Sequence, residues 1–163
     1  MPDFASVAAE TFASYYDEVR DQVHELVAPL STEQLWRKPY PYGNSIGHLL
    51  LHLTGNLSHY IGARIAGMGY VRNRPLEFTD TARRPKEEVL AGFDRAIDMV
   101  VATIEKQSPA DWVAPYSDPT IPDDQNRFSV IQRMAAHAYH HVGQMIYLAK
   151  ELARTEQANR AGN

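Results

Sequence analysis

The chain has 163 residues, 44% apolar and 22% charged, with no cysteine and a formal net charge of −4. These values suit one soluble domain with a single core, and they exclude disulfides, thiolate metal ligands and a cysteine nucleophile. The acidic balance also excludes nucleic acid as a main partner, because phosphate binding needs a basic surface.

The first predicted element runs from about Phe4 to Ala28 and stops before Pro29. Phe4, Val7, Ala8, Phe12, Tyr15, Tyr16, Val19, Val23 and Leu26 recur at steps of three and four, the signature of one helix face. The acidic start, MPDFASVAAETF, has no apolar signal segment. Ser31 with Gln34 three residues on is a capping-box pattern for a short helical turn. RKPYPYGNS then reads as loop, with two prolines and a glycine. A second long helix is expected from Asn44 or Ser45, as N-cap, to about Gly67. A third follows Pro85, with Glu87 and Glu88 in the first turn, where the helix dipole favours carboxylates, and runs to about Gln107. SPADW reads as another brief helical turn. From Val113 to Arg127 three prolines and several aspartates preclude a regular element. The last helix is expected from about Ser129 to Leu152, with residues 153–163 as a frayed polar tail. Strand signals are scarce. The whole chain, 1–163, therefore reads as one all-α domain, a four-helix bundle with long second-to-third and third-to-fourth connections. No apolar run approaches the roughly 18–20 residues that span a bilayer. No membrane contact and a cytoplasmic location are expected.

Three of the seven histidines fall in HAYHHVGQ, His137 to Gln144. Val130, Met134, His137, His141, Met145, Leu148 and Leu152 are spaced by threes and fours and form a core seam. His137 and His141 therefore sit one turn apart on the buried stripe, the spacing by which a helix offers two nitrogens to one metal ion. His140 lies toward the flank. On the second long helix Ile46, Leu49, Leu50, Leu53, Leu57, Tyr60 and Ile61 cluster around one direction. His52 lies roughly 120° from its centre and His48 roughly 160°, at about 100° per residue. His52 is thus favoured as the inward residue, and His48 and His59 point further out. Chance would place about 0.3 HxxxH pairs in such a chain, so one motif alone says little. A lone histidine beside a core, such as His24 or His59, is more often simply hydrogen-bonded. Two imidazoles on one buried seam need partners for four nitrogens, which a helix interior rarely supplies.

NSIGHLLLHLTGN, followed some 80 residues later by HAYHHVGQMIYLAK, resembles the DinB-like superfamily of metal-binding four-helix bundles, which includes thiol-dependent transferases and isomerases that work with bacillithiol or mycothiol. The resemblance covers most of the chain, and RNRPLEF, Arg72 to Phe78, resembles a stretch of an uncharacterised subgroup. It implies a metal triad of His52, His137 and His141, followed by Gly143 and Gln144. His48 and His140 are additional to that pattern.

Three neutral imidazoles leave at least one coordination position open, as in catalytic sites. Zinc and nickel both suit imidazole. The expected cofactor is therefore one divalent metal ion. The expected activity is that of a metal-dependent enzyme, S-transferase-like or hydrolase-like, activating a low-molecular-weight thiol or water against a small-molecule substrate. A thiol would have to arrive as a co-substrate, since the chain has no cysteine. The alternative is a non-catalytic metal-binding structural or sensing module. No general acid or base is evident, and catalytic and cofactor-binding residues beyond the triad stay unassigned. Gln144, Asn56 and His48 are candidates to orient the metal ligands by hydrogen bonding. Gly143 is read as a close-packing position, and Arg72, Arg74, Arg83 and Arg84 as either solvated charges or contacts for an anion. Trp36 and Trp112 are expected to plug bundle ends, and a two-fold homodimer is expected.

Overall fold

A computed structural model describes residues 3–121 and 125–161. Its elements in chain order are α1 (Phe4–Val27), α2 (Thr32–Trp36), α3 (Ile46–Leu57) with a π-helical turn (Ser58–Ala63), α4 (Arg74–Thr79), α5 (Lys86–Ile104), α6 (Pro109–Trp112), β1 (Pro115–Tyr116), β2 (Gln125–Asn126) and α7 (Arg127–Ala161). α1 packs on α5 and α7, and α3 packs on the same two helices. The four long helices thus close a bundle in which α1 stands across from α3. No described helix is long and apolar enough to cross a membrane.

The helix starts follow from their caps. Asp3 accepts from the Ser6 amide, Ser31 and Gln34 form a reciprocal capping box, and Ser45 accepts from the His48 amide. Each cap satisfies an amide that the first turn leaves without a helical partner. Pro85 precedes α5, with Glu87 and Glu88 in its first turn. The predicted seams are largely the buried ones. Tyr16, Val19 and Val23 on α1 and Val130, Met134, Met145, Leu148 and Leu152 on α7 all lie in the core. The first turn of α1 departs from its predicted face: Phe4 meets Phe128 with ring centroids 5.8 Å apart, yet Phe4 and Val7 remain exposed. On α3, Ile46, Leu50, Leu53 and Leu57 are fully buried. Each such side chain contributes about 1.5–3 kcal/mol, which offsets the cost of placing His48, His52 and Asn56 on the same helix.

Four further expectations change. The second long helix does not continue as α-helix to Gly67. It widens into the π-helical turn, and the Tyr60 carbonyl there accepts a hydrogen bond from the Tyr116 hydroxyl at 3.0 Å. The second-to-third connection contains α4, capped by Asn73 and with Pro75 in its first turn. The Val113–Arg127 stretch holds a small antiparallel pairing, Pro115 opposite Asn126 and Tyr116 opposite Gln125, because two extended residues suffice for one bridge even between prolines. Within the tail, residues 153–161 are helical. Leu152 is buried, the Thr155 hydroxyl bonds the Glu151 carbonyl, and Gln34 bonds Glu156 across to α2. That cross-contact ties down a segment whose polar composition alone suggested fraying. Trp36 and Trp112 are both buried: Trp36 seats on Gly47 at the start of α3, and Trp112 meets the rings of Phe12 and Phe128.

Candidate metal centre

α7 carries His137 and His141 one turn apart, and α3 faces them with His52. One ring nitrogen of each lies within 4.8 Å of the others. His52 Nε2 and His137 Nε2 are 3.0 Å apart. The opposite nitrogens of two of the rings are held from outside. His52 Nδ1–H donates to Glu77 Oε2 at 2.8 Å, and His141 Nδ1–H donates to Gln144 Oε1 at 2.7 Å. A proton on Nδ1 leaves Nε2 as a bare lone pair, so these two bonds aim both lone pairs into the cluster. His141 Nε2 is buried and has no hydrogen-bond partner among the described residues. Leaving a buried acceptor unmatched costs about 1–3 kcal/mol, and a cation would satisfy it. Burial, reinforced by the neighbouring imidazoles, pushes His137 down to about 4. Burial likewise pushes His141 down to about 4, against the opposing hydrogen bond to Gln144. Neutral imidazole is the ligating form. The donor set, its convergence and the unmatched nitrogen all fit a divalent metal ion, and the group could hold one.

The support for His52 comes from α4. Glu77 is buried and receives Arg72 through Nε at 2.7 Å and Nη2 at 2.9 Å, while the next residue, Phe78, packs its ring 4.8 Å from that of His52. Burial raises the Glu77 carboxyl, but the hydrogen bonds from His52 and Arg72 outweigh it and hold the group below the ordinary carboxylate range. Gly55 makes room for this arrangement, since a Cβ there would overlap the Glu77 carboxylate. Sequence reasoning assigned Glu77 no role. The available signals were the Asn73 cap, Pro75, and an arginine five residues before a glutamate, all in a stretch read as loop.

His48 departs from its outward expectation. It is 7% exposed, close to the 4% of His52, because α2 and the segment after α4 cover its side of α3. Its Nδ1 lies 2.6 Å from Ser45 Oγ and its Nε2 donates to the Asp80 carbonyl at 3.1 Å, with the Trp36 ring edge-on against it. Both nitrogens are thus engaged away from the triad. Asn56 is buried one turn after His52, and its Oδ1 has no partner among the described residues. Gln144 touches His141 and also donates Nε2–H to His140 Nε2 at 3.2 Å, placing His140 on the flank. His24 pairs with Asp94 at 2.7 Å and His59 with Asp118 at 2.9 Å. Gly143 does not serve close packing, as nothing lies within 4 Å of where its Cβ would stand. The arginines divide: Arg72 is occupied by Glu77, Arg84 pairs with Asp80, and Arg83 lines a different hollow beside His48. Arg74 shares a cleft of about 240 Å3 with His52, His137, Asn56 and Arg133.

A crystal structure of a conserved protein from Enterococcus faecalis is similar to this fold, with a TM-score of 0.73 at 13% identity, covering 94% of this chain and 99% of that one. A DinB-like protein from Bacillus cereus gives a TM-score of 0.69 at 14% identity over 88% of this chain and 92% of that one. At such identities the likeness concerns the fold alone. Comparison with curated proteins gives no match. The family model of the DinB superfamily matches residues 15–145, a span that takes in the second half of α1, all of α2 to α6 and the histidines of α7, and the chain belongs to that superfamily.

Proposed function

We propose that this protein is a metal-dependent enzyme in which His52, His137 and His141 hold one divalent ion, zinc or nickel, that activates a small thiol or water toward an electrophilic substrate. The observation that carries the reading is the buried, unpartnered Nε2 of His141 beside two further imidazole nitrogens. When bound, the ion supplies Lewis acidity, lowering the pKa of a thiol or water at an open position. The protein's own part is orientation. Glu77 holds the Nδ1 proton of His52 and, paired with Arg72, stays ionised. Gln144 fixes the His141 tautomer in the same way with a neutral acceptor. Phe78 covers the His52 ring, and burial keeps His137 and His141 in the neutral form that ligates.

One observation favours a non-catalytic metal-binding module instead. Among the described residues, Glu77 is the carboxylate that touches the triad, and it is already bonded to both His52 and Arg72, so it is not a free general base. Protein purified without a histidine tag should contain about one equivalent of metal, and thiol turnover against a panel of electrophiles should disappear in apo and His141→Ala protein. Full metal occupancy with no turnover in any thiol or water assay would select the module. Absence of tight metal binding would end both readings.

A further inference from the structure

The cleft beside the triad has a chemistry of its own. His52 and His137 form one part of its lining, Asn56 another, and the remainder includes Arg74 from α4 and Arg133 from α7. Arg133 stands one turn before His137 on the same helix. The Arg74 guanidinium sits over the Phe78 ring, 5.6 Å from its centroid, which leaves its N–H groups for other partners. Neither Arg74 nor Arg133 forms an ion pair with a described residue, whereas Arg72 in the same cleft is matched by Glu77. No acidic side chain among the described residues lines this cleft. A chain with net charge −4 therefore gathers, at one small opening, two guanidinium groups that no described carboxylate matches. Asn56 adds an independent mark of a ligand: it is 5% exposed, lies one turn after His52, and its carboxamide oxygen has no donor among the described residues.

We infer that this cleft binds a small anionic substrate, its carboxylate or phosphate held by Arg74 and Arg133 and a hydrogen-bond donor of the same molecule on Asn56. Arginine pairs suit planar or tetrahedral oxyanions because each guanidinium offers a fork of N–H donors. A volume of about 240 Å3, below the ~300–1,000 Å3 of clefts for drug-sized ligands, selects a compact molecule. Its anionic end would lie at the arginines and its reactive end toward His52 and His137. The inference specifies the substrate class of the proposed enzyme and rests on that reading for its catalytic meaning, but the anion contact itself involves no metal ligand.

The test is calorimetric titration of zinc-loaded and of metal-free protein with succinate, with inorganic phosphate and with uncharged succinamide. Succinate or phosphate should bind, and the tighter of the two identifies the anion; succinamide should not bind. Arg74→Ala and Arg133→Ala should each weaken binding about tenfold or more, the loss expected for a charge-assisted hydrogen bond. Asn56→Ala should weaken a bound anion that carries an added hydroxyl, such as malate, more than it weakens succinate. The Arg83→Ala/Arg84→Ala double variant, at hollows away from the triad, should bind as the wild type does. Metal-free protein should keep the dependence on Arg74 and Arg133. Failure of the protein to take up zinc would overturn the enzyme reading while that apo titration still decides the cleft. Binding that survives Arg74→Ala/Arg133→Ala, or that falls equally in Arg83→Ala/Arg84→Ala, would overturn the anion site, as would no binding of either anion.

Discussion

The chain carries the HxxxH spacing twice, at His48/His52 on α3 and at His137/His141 on α7, and the two pairs end differently. On α7 both imidazoles turn one nitrogen into the cluster. On α3 only His52 does so, while His48, almost equally buried, is bonded at both nitrogens to Ser45 and the Asp80 carbonyl. Spacing puts two rings on roughly one side of a helix, but the outside partners decide what each ring can do. A ring whose second nitrogen donates to a carboxylate or carboxamide keeps a lone pair for a metal. A ring matched at both ends has none to give.

The largest effect that tests this comparison is on metal content. His137→Ala or His141→Ala should reduce bound zinc from about one equivalent to near zero, as should His52→Ala, while His48→Ala should leave it near one. Elemental analysis of the four variants decides the matter, and loss of metal in His48→Ala with retention in His52→Ala would reverse the assignment on α3. Next comes the carboxylate behind His52. Glu77→Gln should weaken zinc affinity about 10- to 100-fold, the usual range for such supporting partners, measured by competition with a chelator. Gly55→Ala, which would push the Glu77 carboxylate from its place, should lower affinity in the same direction. Gln144→Ala should do less, because a neutral acceptor is roughly half as strong as a charged one.

Acid should expose the α7 pair in metal-free protein. A histidine in the unfolded chain takes a proton near its ordinary 6.5, whereas His137 and His141 in the fold stay neutral down to about 4. Between these values the unfolded state binds more protons, so stability falls as pH drops from about 6.5 to 4 and is level with respect to these groups above 6.5. Denaturant unfolding at several pH values should show this slope in the wild type and a shallower one in His137→Ala/His141→Ala. Equal slopes would show that the cluster is not the source. The smallest effect is His48→Ala near neutral pH. Removal of a ring bonded at both ends should cost about 1–3 kcal/mol of stability, seen as a lowered unfolding midpoint at unchanged metal stoichiometry.

Much of this site was legible along the chain. The seam that carries His137 and His141 is a property of one helix and follows from spacing alone. The capping pairs at Ser31 and at Ser45 are equally local. Asn56 and Gln144 were identifiable as neighbours of candidate ligands because each lies within one turn of a histidine on the same helix. Glu77 was not, since its contact with His52 spans 25 residues and depends on α4, a short helix inside a connection too irregular to show periodicity. Gly143 and the tail erred for the converse reason: their sequence environment suggested close packing and fraying, while the neighbours that decide both cases lie on other elements.

Hydrophobic period, caps and breakers by themselves determined that this chain forms a four-helix bundle and that two imidazoles of α7 lie on its inner face, because these properties depend on residues within a turn or two of one another. Only the tertiary structure decided which histidine of α3 joins them. The angular margin between His48 and His52 was some 40°, and it was settled by groups arriving from beyond the helix: the Asp80 carbonyl reached one ring and the Glu77 carboxylate the other. A hydrogen bond to a distant segment fixes a ring's tautomer and direction, and no local pattern encodes which segment will come.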